Sequence, residues 1–263
     1  MRHDWLIPDW PAPATVRALC TTRTGGVSTG PYESLNLGDH VGDAPAAVRD
    51  NRRLLQQALG ARPVFLQQIH GLQVATLNRE TPDDTPADGC MTANANVACT
   101  VMVADCLPVL FTNRLGTAVA AAHAGWRGLA GNGGRGVLEA TLTSFRALAH
   151  IPYGQEATEV IAWLGPCIGP EQFEVGPEVK AAFEANDAQA SGCFRPHGNG
   201  KWLADLAGLA RRRLQAMGVA SLHGNDGSGP WCTVSHPSRF FSHRRDTLAL
   251  GGSGRLAACI WLA

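Results

Sequence analysis

A chain of 263 residues with 45% hydrophobic and 17% charged side chains has enough apolar material for a sizeable core and too little charge for disorder. Its 22 basic and 22 acidic residues cancel, so it lacks the excess positive charge of a nucleic-acid binder. No apolar run reaches the roughly 18 residues of a membrane span, and residues 1–8 lack the apolar core of a signal peptide, so a cytoplasmic protein with no membrane contact is expected.

In chain order, alternation over residues 15–20 predicts a strand, and a glycine-rich loop follows over 21–28. Asp43 is placed to cap a helix that runs to about Leu59 and stops at Gly60. Strands are expected at about 63–69 and 73–78, then a Pro/Asp-rich loop over 81–88. Residues 97–103 and 108–112 read as buried strands with Asp105-Cys106 at the break, and 117–123 as a third ending at His123. A helix over about 136–149 precedes a strand at 158–164 and the run Gly165-Pro166-Cys167-Ile168-Gly169-Pro170. Helices at about 176–185 and 203–217 and a closing strand at 256–262 complete the chain. No repeat or linker divides it. The intermixing predicts a single α/β (α+β) domain over 1–263, with mixed β-sheets layered against helices.

Three residues stand out chemically. His70 and His123 each end an apolar segment and precede a small residue or glycine, and Cys106 sits at the break between two strands. One thiolate and two imidazoles suit Zn²⁺, with a fourth position left for water or substrate. Spacing alone leaves open a Cys106–His123 nucleophile dyad, in which His70 has no task. His40 and Cys167 are the nearest contenders for a fourth ligand that would close a structural site. Asp105 is a candidate to hold a ligating imidazole through its free N–H, or else to cap its turn. Arg23, Arg127, Arg244 and Arg245 lie among glycines or polar neighbours and are candidates to bind an anion such as phosphate. Gly131-Asn132-Gly133-Gly134-Arg135-Gly136 matches GxGxxG but does not directly follow a strand, so a flexible loop is the better account. Neither lysine, Lys180 nor Lys201, lies in a P-loop. The eight cysteines are scattered without a CxxC and read as free thiols, most of them buried.

Longer matching segments add to this reading. They are Thr22-Arg23-Thr24-Gly25-Gly26-Val27-Ser28, Ser34-Leu35-Asn36-Leu37-Gly38-Asp39-His40-Val41-Gly42-Asp43, Asn51-Arg52, Gln68-Ile69-His70-Gly71 and Ala87-Asp88-Gly89. They continue with Ala104-Asp105-Cys106-Leu107-Pro108, His123-Ala124-Gly125-Trp126-Arg127-Gly128, residues 165–170, Phe173-Glu174-Val175, Phe241-Ser242-His243-Arg244-Arg245-Asp246 and Gly254-Arg255. In this order and over nearly the whole chain they resemble the bacterial laccase-domain family, variously described as multicopper polyphenol oxidases, a peptidoglycan-editing factor and zinc-dependent purine nucleoside phosphorylases. Ser253 stands where the family usually has threonine.

The resemblance implies a metal site from His70, Cys106 and His123. It also implies phosphorolysis of adenosine and inosine, extending to methylthioadenosine, with adenosine deamination as a second activity. Nucleoside and phosphate are then the partners of a monomer or homodimer. Asp105 and Arg23 are the catalytic candidates; Arg23, Asn36, Gln68 and Arg244 are the substrate-binding ones. The alternatives are a peptidoglycan-precursor editing hydrolase, a copper-dependent polyphenol oxidase and a non-catalytic fold with a structural zinc. Nine histidines without a His-x-His pair argue against multicopper chemistry, whereas one Cys and two His can hold a single Cu²⁺.

Overall fold

Apolar residues on both faces of a strand need cover on both faces, and the longest strands of this chain are apolar throughout. The computed structural model describes residues 4–263; Met1, Arg2 and His3, the start of the segment read as lacking a signal peptide, lie outside the described residues. The elements are β1 (Val16–Cys20), α1 (Pro45–Leu59), β2 (Arg62–Gln67), β3 (Val74–Thr76), β4 (Thr85–Pro86), β5 (Gly89–Thr92), β6 (Val97–Val103), β7 (Leu107–Asn113) and β8 (Val119–Ala124). Then come α2 (Trp126–Ala130), α3 (Val137–Leu148), α4 (Glu156–Glu159), β9 (Val160–Leu164), β10 (Glu174–Val175), α5 (Pro177–Glu184), β11 (Phe194–Pro196), β12 (Trp202–Ala204), α6 (Leu206–Ala216), β13 (Ser221–Gly224), α7 (His243–Leu250) and β14 (Leu256–Leu262).

Two mixed sheets form the centre. One has the order β1-β14-β6-β2-β4, the other β13-β9-β7-β8-β5-β3, and a small third sheet runs β10-β12-β11. The period of two sorts the side chains. Val97, Cys99 and Val101 of β6 and Ala258 and Ile260 of β14 share one core with Leu110, Val119, Ala121 and Trp163 of the second sheet. The alternate residues Ala98, Met102, Ala257, Cys259 and Trp261 face outward onto Leu55 and Leu59 of α1. On the far side Val109, Phe111, Ala120 and Ala122 pack with Val137, Leu138, Leu142 and Phe145 of α3 and with Leu209 and Leu214 of α6. The result is the predicted single compact α/β unit, a helix, two sheets and further helices in layers. Among the described residues no helix is long and apolar enough to cross a membrane.

The predicted long elements appear with shifted ends. Asp43 does not cap α1, however. The N-cap is Ala44 with Pro45 following, while the Asp43 carboxylate accepts from Ser28 Oγ at 2.6 Å and Asn36 Nδ2 at 2.9 Å. Gly60 stops the helix as expected, in the left-handed conformation at φ 64°. The glycine run at 131–136 links α2 to α3 and follows a helix rather than the strand that a dinucleotide fingerprint requires.

This topology fixes where the functional residues meet. β2 and β6 are parallel neighbours, with Val64 beside Cys99 and Phe65 beside Thr100. Leaving β6, the chain crosses from the first sheet to the second and enters β7, and Cys106 lies on that crossing. β7 and β8 are antiparallel with Pro108 opposite His123. The ends of β2, β6 and β8 thus share one rim.

Candidate metal centre

On that rim the nitrogen and sulfur atoms of His70, Cys106 and His123 all lie within 4.8 Å of one another. Cys106 Sγ is 3.8 Å from His70 Nε2, and the two imidazoles meet edge to face with centroids 4.7 Å apart. His123 is buried, Cys106 half-buried and His70 exposed, so the group opens to solvent on the His70 side. Among the described residues no fourth ligand joins. His40 instead lies 3.4 Å from Asp39, and Cys167 is buried, accepting from Asn225 Nδ2 at 3.3 Å. Three protein ligands with an open side match catalytic rather than structural zinc sites.

The donor set and the space around it both fit a metal ion. Burial alone pushes the Cys106 thiol up, but the charge and hydrogen bond of His123, and then His70, bring it down to about 6. Burial works against the charged form of His123 too, but Cys106 and Asp88 raise that imidazole to about 9. The thiolate is the form that binds metal, and the His123 imidazolium would give up its Nε2 proton as the metal enters. At Gly125 a Cβ would stand 2.9 Å from Cys106 Sγ and 2.9 Å from His70 Cδ2. Its φ of −66° is ordinary for any residue, so glycine is needed for space rather than conformation.

Local backbone supports each ligand. Gln68 continues the β2–β6 ladder with its side chain, donating from Nε2 to Met102 O at 2.8 Å and accepting from Met102 N at 2.7 Å. This turns the chain so that His70 reaches the rim, with His70 itself at φ 57°. Asp105 is at φ 86°, and two non-glycine residues with positive φ at one site are the kind of strain that gathers at functional positions.

Several expected roles are corrected by their partners. The carboxylate on an imidazole is Asp88, with Oδ1 2.8 Å from His123 Nδ1, not Asp105. Asp105 accepts from Thr233 Oγ1 at 2.5 Å, Ser242 Oγ at 3.1 Å and the Arg244 backbone N–H at 2.7 Å, so it ties the Cys106 turn to the start of α7. Arg23 donates to Glu33 O and Pro237 O, both at 2.9 Å, and stacks over Phe241. Asn36 is fully buried and bonded to Gly38, Asp43 and the Arg255 N–H. Arg23, Asn36 and Gln68 thus each hold part of the fold through these bonds. Arg245 is likewise held by Asp246, Thr233 O, Val234 O and Phe240 O. Arg244 and Arg127 keep exposed guanidinium groups, Arg244 braced by Glu174 O at 3.1 Å and Arg127 stacked on Trp126.

Two site residues escaped the sequence reading. Asp88 lies in a matching segment, but its partners are 18 and 35 residues away. Arg255 also lies in a matching segment; burial pulls its pKa down and the charges of Cys106 and Asp105 push it back, while its Nη1 donates to Ser253 O and Gly254 O.

Fold and site together define an α/β protein with an open, metal-capable His₂Cys centre on the rim of a two-sheet core. The family model described as multi-copper polyphenol oxidoreductase laccase matches residues 17–263, and the chain belongs to that family. It is 50% identical over 261 residues, covering 99% of each chain, to purine nucleoside phosphorylase PA4543 of Pseudomonas aeruginosa. It is 48% identical over 259 residues, 98% of each chain, to purine nucleoside phosphorylase YfiH of Escherichia coli. Among solved structures, protein NMB0706 of Neisseria meningitidis superposes with a TM-score of 0.88 at 47% identity, over 98% of this chain and 99% of that one. YlmD of Geobacillus stearothermophilus superposes with a TM-score of 0.83 at 30% identity, over 95% and 92%.

Proposed function

We propose that this chain is a zinc-dependent purine nucleoside phosphorylase, acting on adenosine and inosine and extending to methylthioadenosine, with adenosine deamination as a second activity. The convergence of His70, Cys106 and His123 on one open rim carries the reading, and relatives named purine nucleoside phosphorylase at 50% and 48% identity over nearly full length support it. Phosphorolysis needs no redox step, which favours zinc over copper. The whole span 1–263 is taken as one catalytic domain, working in the cytoplasm on nucleoside and phosphate.

The three ligands would hold the zinc, which supplies a Lewis acid for the departing base or an activated water for deamination. Arg244 is the phosphate-binding candidate, because its guanidinium is exposed while its backbone is pinned to Asp105. Asp105 acts through that pin, keeping Arg244 and Cys106 at a fixed separation.

A second reading has one observation in its favour. A thiol drawn down to about 6 beside an imidazole also suits Cys106 as the nucleophile of an editing hydrolase acting on a cell-wall precursor. One assay separates the two. Metal-defined protein incubated with inosine is expected to release hypoxanthine and ribose 1-phosphate only when phosphate is present. No phosphate-dependent product from inosine or adenosine would refute the phosphorylase reading.

A further inference from the structure

We infer that Asp88 is the positioning residue of the metal centre, a single carboxylate that sets both histidines at once, one through its ring and the other through its backbone. The inference rests on the metal reading of His70, Cys106 and His123 given above. Asp88 is fully buried and stands immediately before β5. Its Oδ1 accepts from the His70 backbone N–H at 2.9 Å and from His123 Nδ1–H at 2.8 Å. Its Oδ2 accepts from the N–H groups of Ile69 at 3.1 Å and Gly71 at 2.7 Å. The Asp88 carbonyl also accepts from the His123 backbone N–H at 2.7 Å.

These contacts are not interchangeable with those of another side chain. An ionised carboxylate offers acceptors only, about four lone-pair sites on its two oxygens, and here four donors fill them. An asparagine of the same shape could satisfy two of the four and would turn its NH₂ against the other pair. On the His70 arm, three consecutive N–H groups converge on one carboxylate. They hold His70 at φ 57°, a conformation that non-glycine residues seldom adopt. On the His123 arm the bond keeps the proton on Nδ1 and leaves Nε2 for the metal. The affinity of the centre therefore depends on a residue that touches no metal, and through two routes rather than one.

The test is zinc affinity, measured by competition with a chromophoric chelator on wild-type protein and on Asp88→Asn, with the urea midpoint of each recorded beside it. Asp88→Asn is expected to bind zinc about 10- to 100-fold more weakly, the range of losses when a carboxylate behind a ligating histidine is removed. Cobalt in place of zinc is expected to show an altered thiolate-to-cobalt charge-transfer band. In a His123→Ala background Asp88→Asn is expected to weaken binding further, through the His70 arm. Zinc affinity within about twofold of wild type, even with a lowered urea midpoint, would overturn the inference and leave Asp88 a purely structural residue. Should Asp88→Asn not fold, ring ¹H–¹⁵N spectra of the zinc-loaded wild type decide instead. His123 protonated on Nδ1 supports the inference, and protonation on Nε2 overturns it. Wild-type zinc binding that survives Cys106→Ala would refute the metal reading itself, and this inference with it.

Discussion

Two regions of this molecule are equally rich in polar motif residues, and they behave in opposite ways. In the loop over residues 22–43 the buried polar side chains bond back to the chain. Asn36 bonds Gly38, Asp43 and Arg255, and Asn51 donates to Ser28 Oγ and to the carbonyls of Ser34 and Asn36. At the rim His70, Cys106 and His123 turn their donor atoms toward one another and toward solvent. The first region is polar because an irregular loop must satisfy its own backbone groups inside the protein. The second is polar because two imidazoles and a thiol converge there, a donor set that could hold a metal ion. Motif density marks both; only the destination of the hydrogen bonds separates structure from chemistry.

The contrast can be broken by mutation, and the effects should fall in order. Cys106→Ala removes one of three ligands and is expected to cost about 4 kcal/mol of metal binding, roughly a thousandfold, while the urea midpoint of metal-free protein holds. Asn36→Ala is the converse case. It strands buried donors and a carboxylate and should cost about 3 kcal/mol in urea unfolding, with zinc affinity of the folded protein unchanged. Equal losses in both assays for both variants would erase the distinction.

Thiol chemistry sharpens it further. In metal-stripped protein at pH 7, Cys106 near 6 is mostly thiolate, while half-buried Cys193 is pushed up to about 11 by burial. Allowing for the lower nucleophilicity of a more acidic thiol, iodoacetamide should modify Cys106 about 50-fold faster. The absolute rate at Cys106 should fall as pH drops through 6, its advantage over Cys193 being kept, and modification of Cys106 should vanish when zinc is bound. Peptide mapping by mass spectrometry reads both. The smallest effect separates two arginines. Arg244→Ala should raise the KM for phosphate about tenfold with stability held to about 0.5 kcal/mol, whereas Arg23→Ala should lower stability by about 1–2 kcal/mol and leave that KM alone.

The sequence was legible where one physical rule dominates. β6, β8 and β14 read directly as strands because runs of apolar residues covered on both faces have few other forms. α7 was missed because its only buried residue is Asp246, so no apolar stripe announces it. The β10, β11 and β12 strands are two or three residues long, too short to show a period. The convergent His70, Cys106 and His123 could be picked out because thiol and imidazole are rare and chemically specific. The role of Asp88 could not, since nothing local distinguishes a carboxylate that caps a turn from one that collects four donors from distant segments. The contacts of Arg23 and Asn36 were hidden for the same reason, their partners being fixed only once the loop had closed on Arg255 and Pro237.

X-ray absorption at the zinc edge of the loaded wild-type protein tests the centre most directly. One sulfur at about 2.3 Å and two imidazole nitrogens at about 2.0–2.1 Å, with one further light atom, is the predicted first shell. A shell without sulfur, or with two sulfurs, would contradict the assignment of His70, Cys106 and His123 as its three protein ligands.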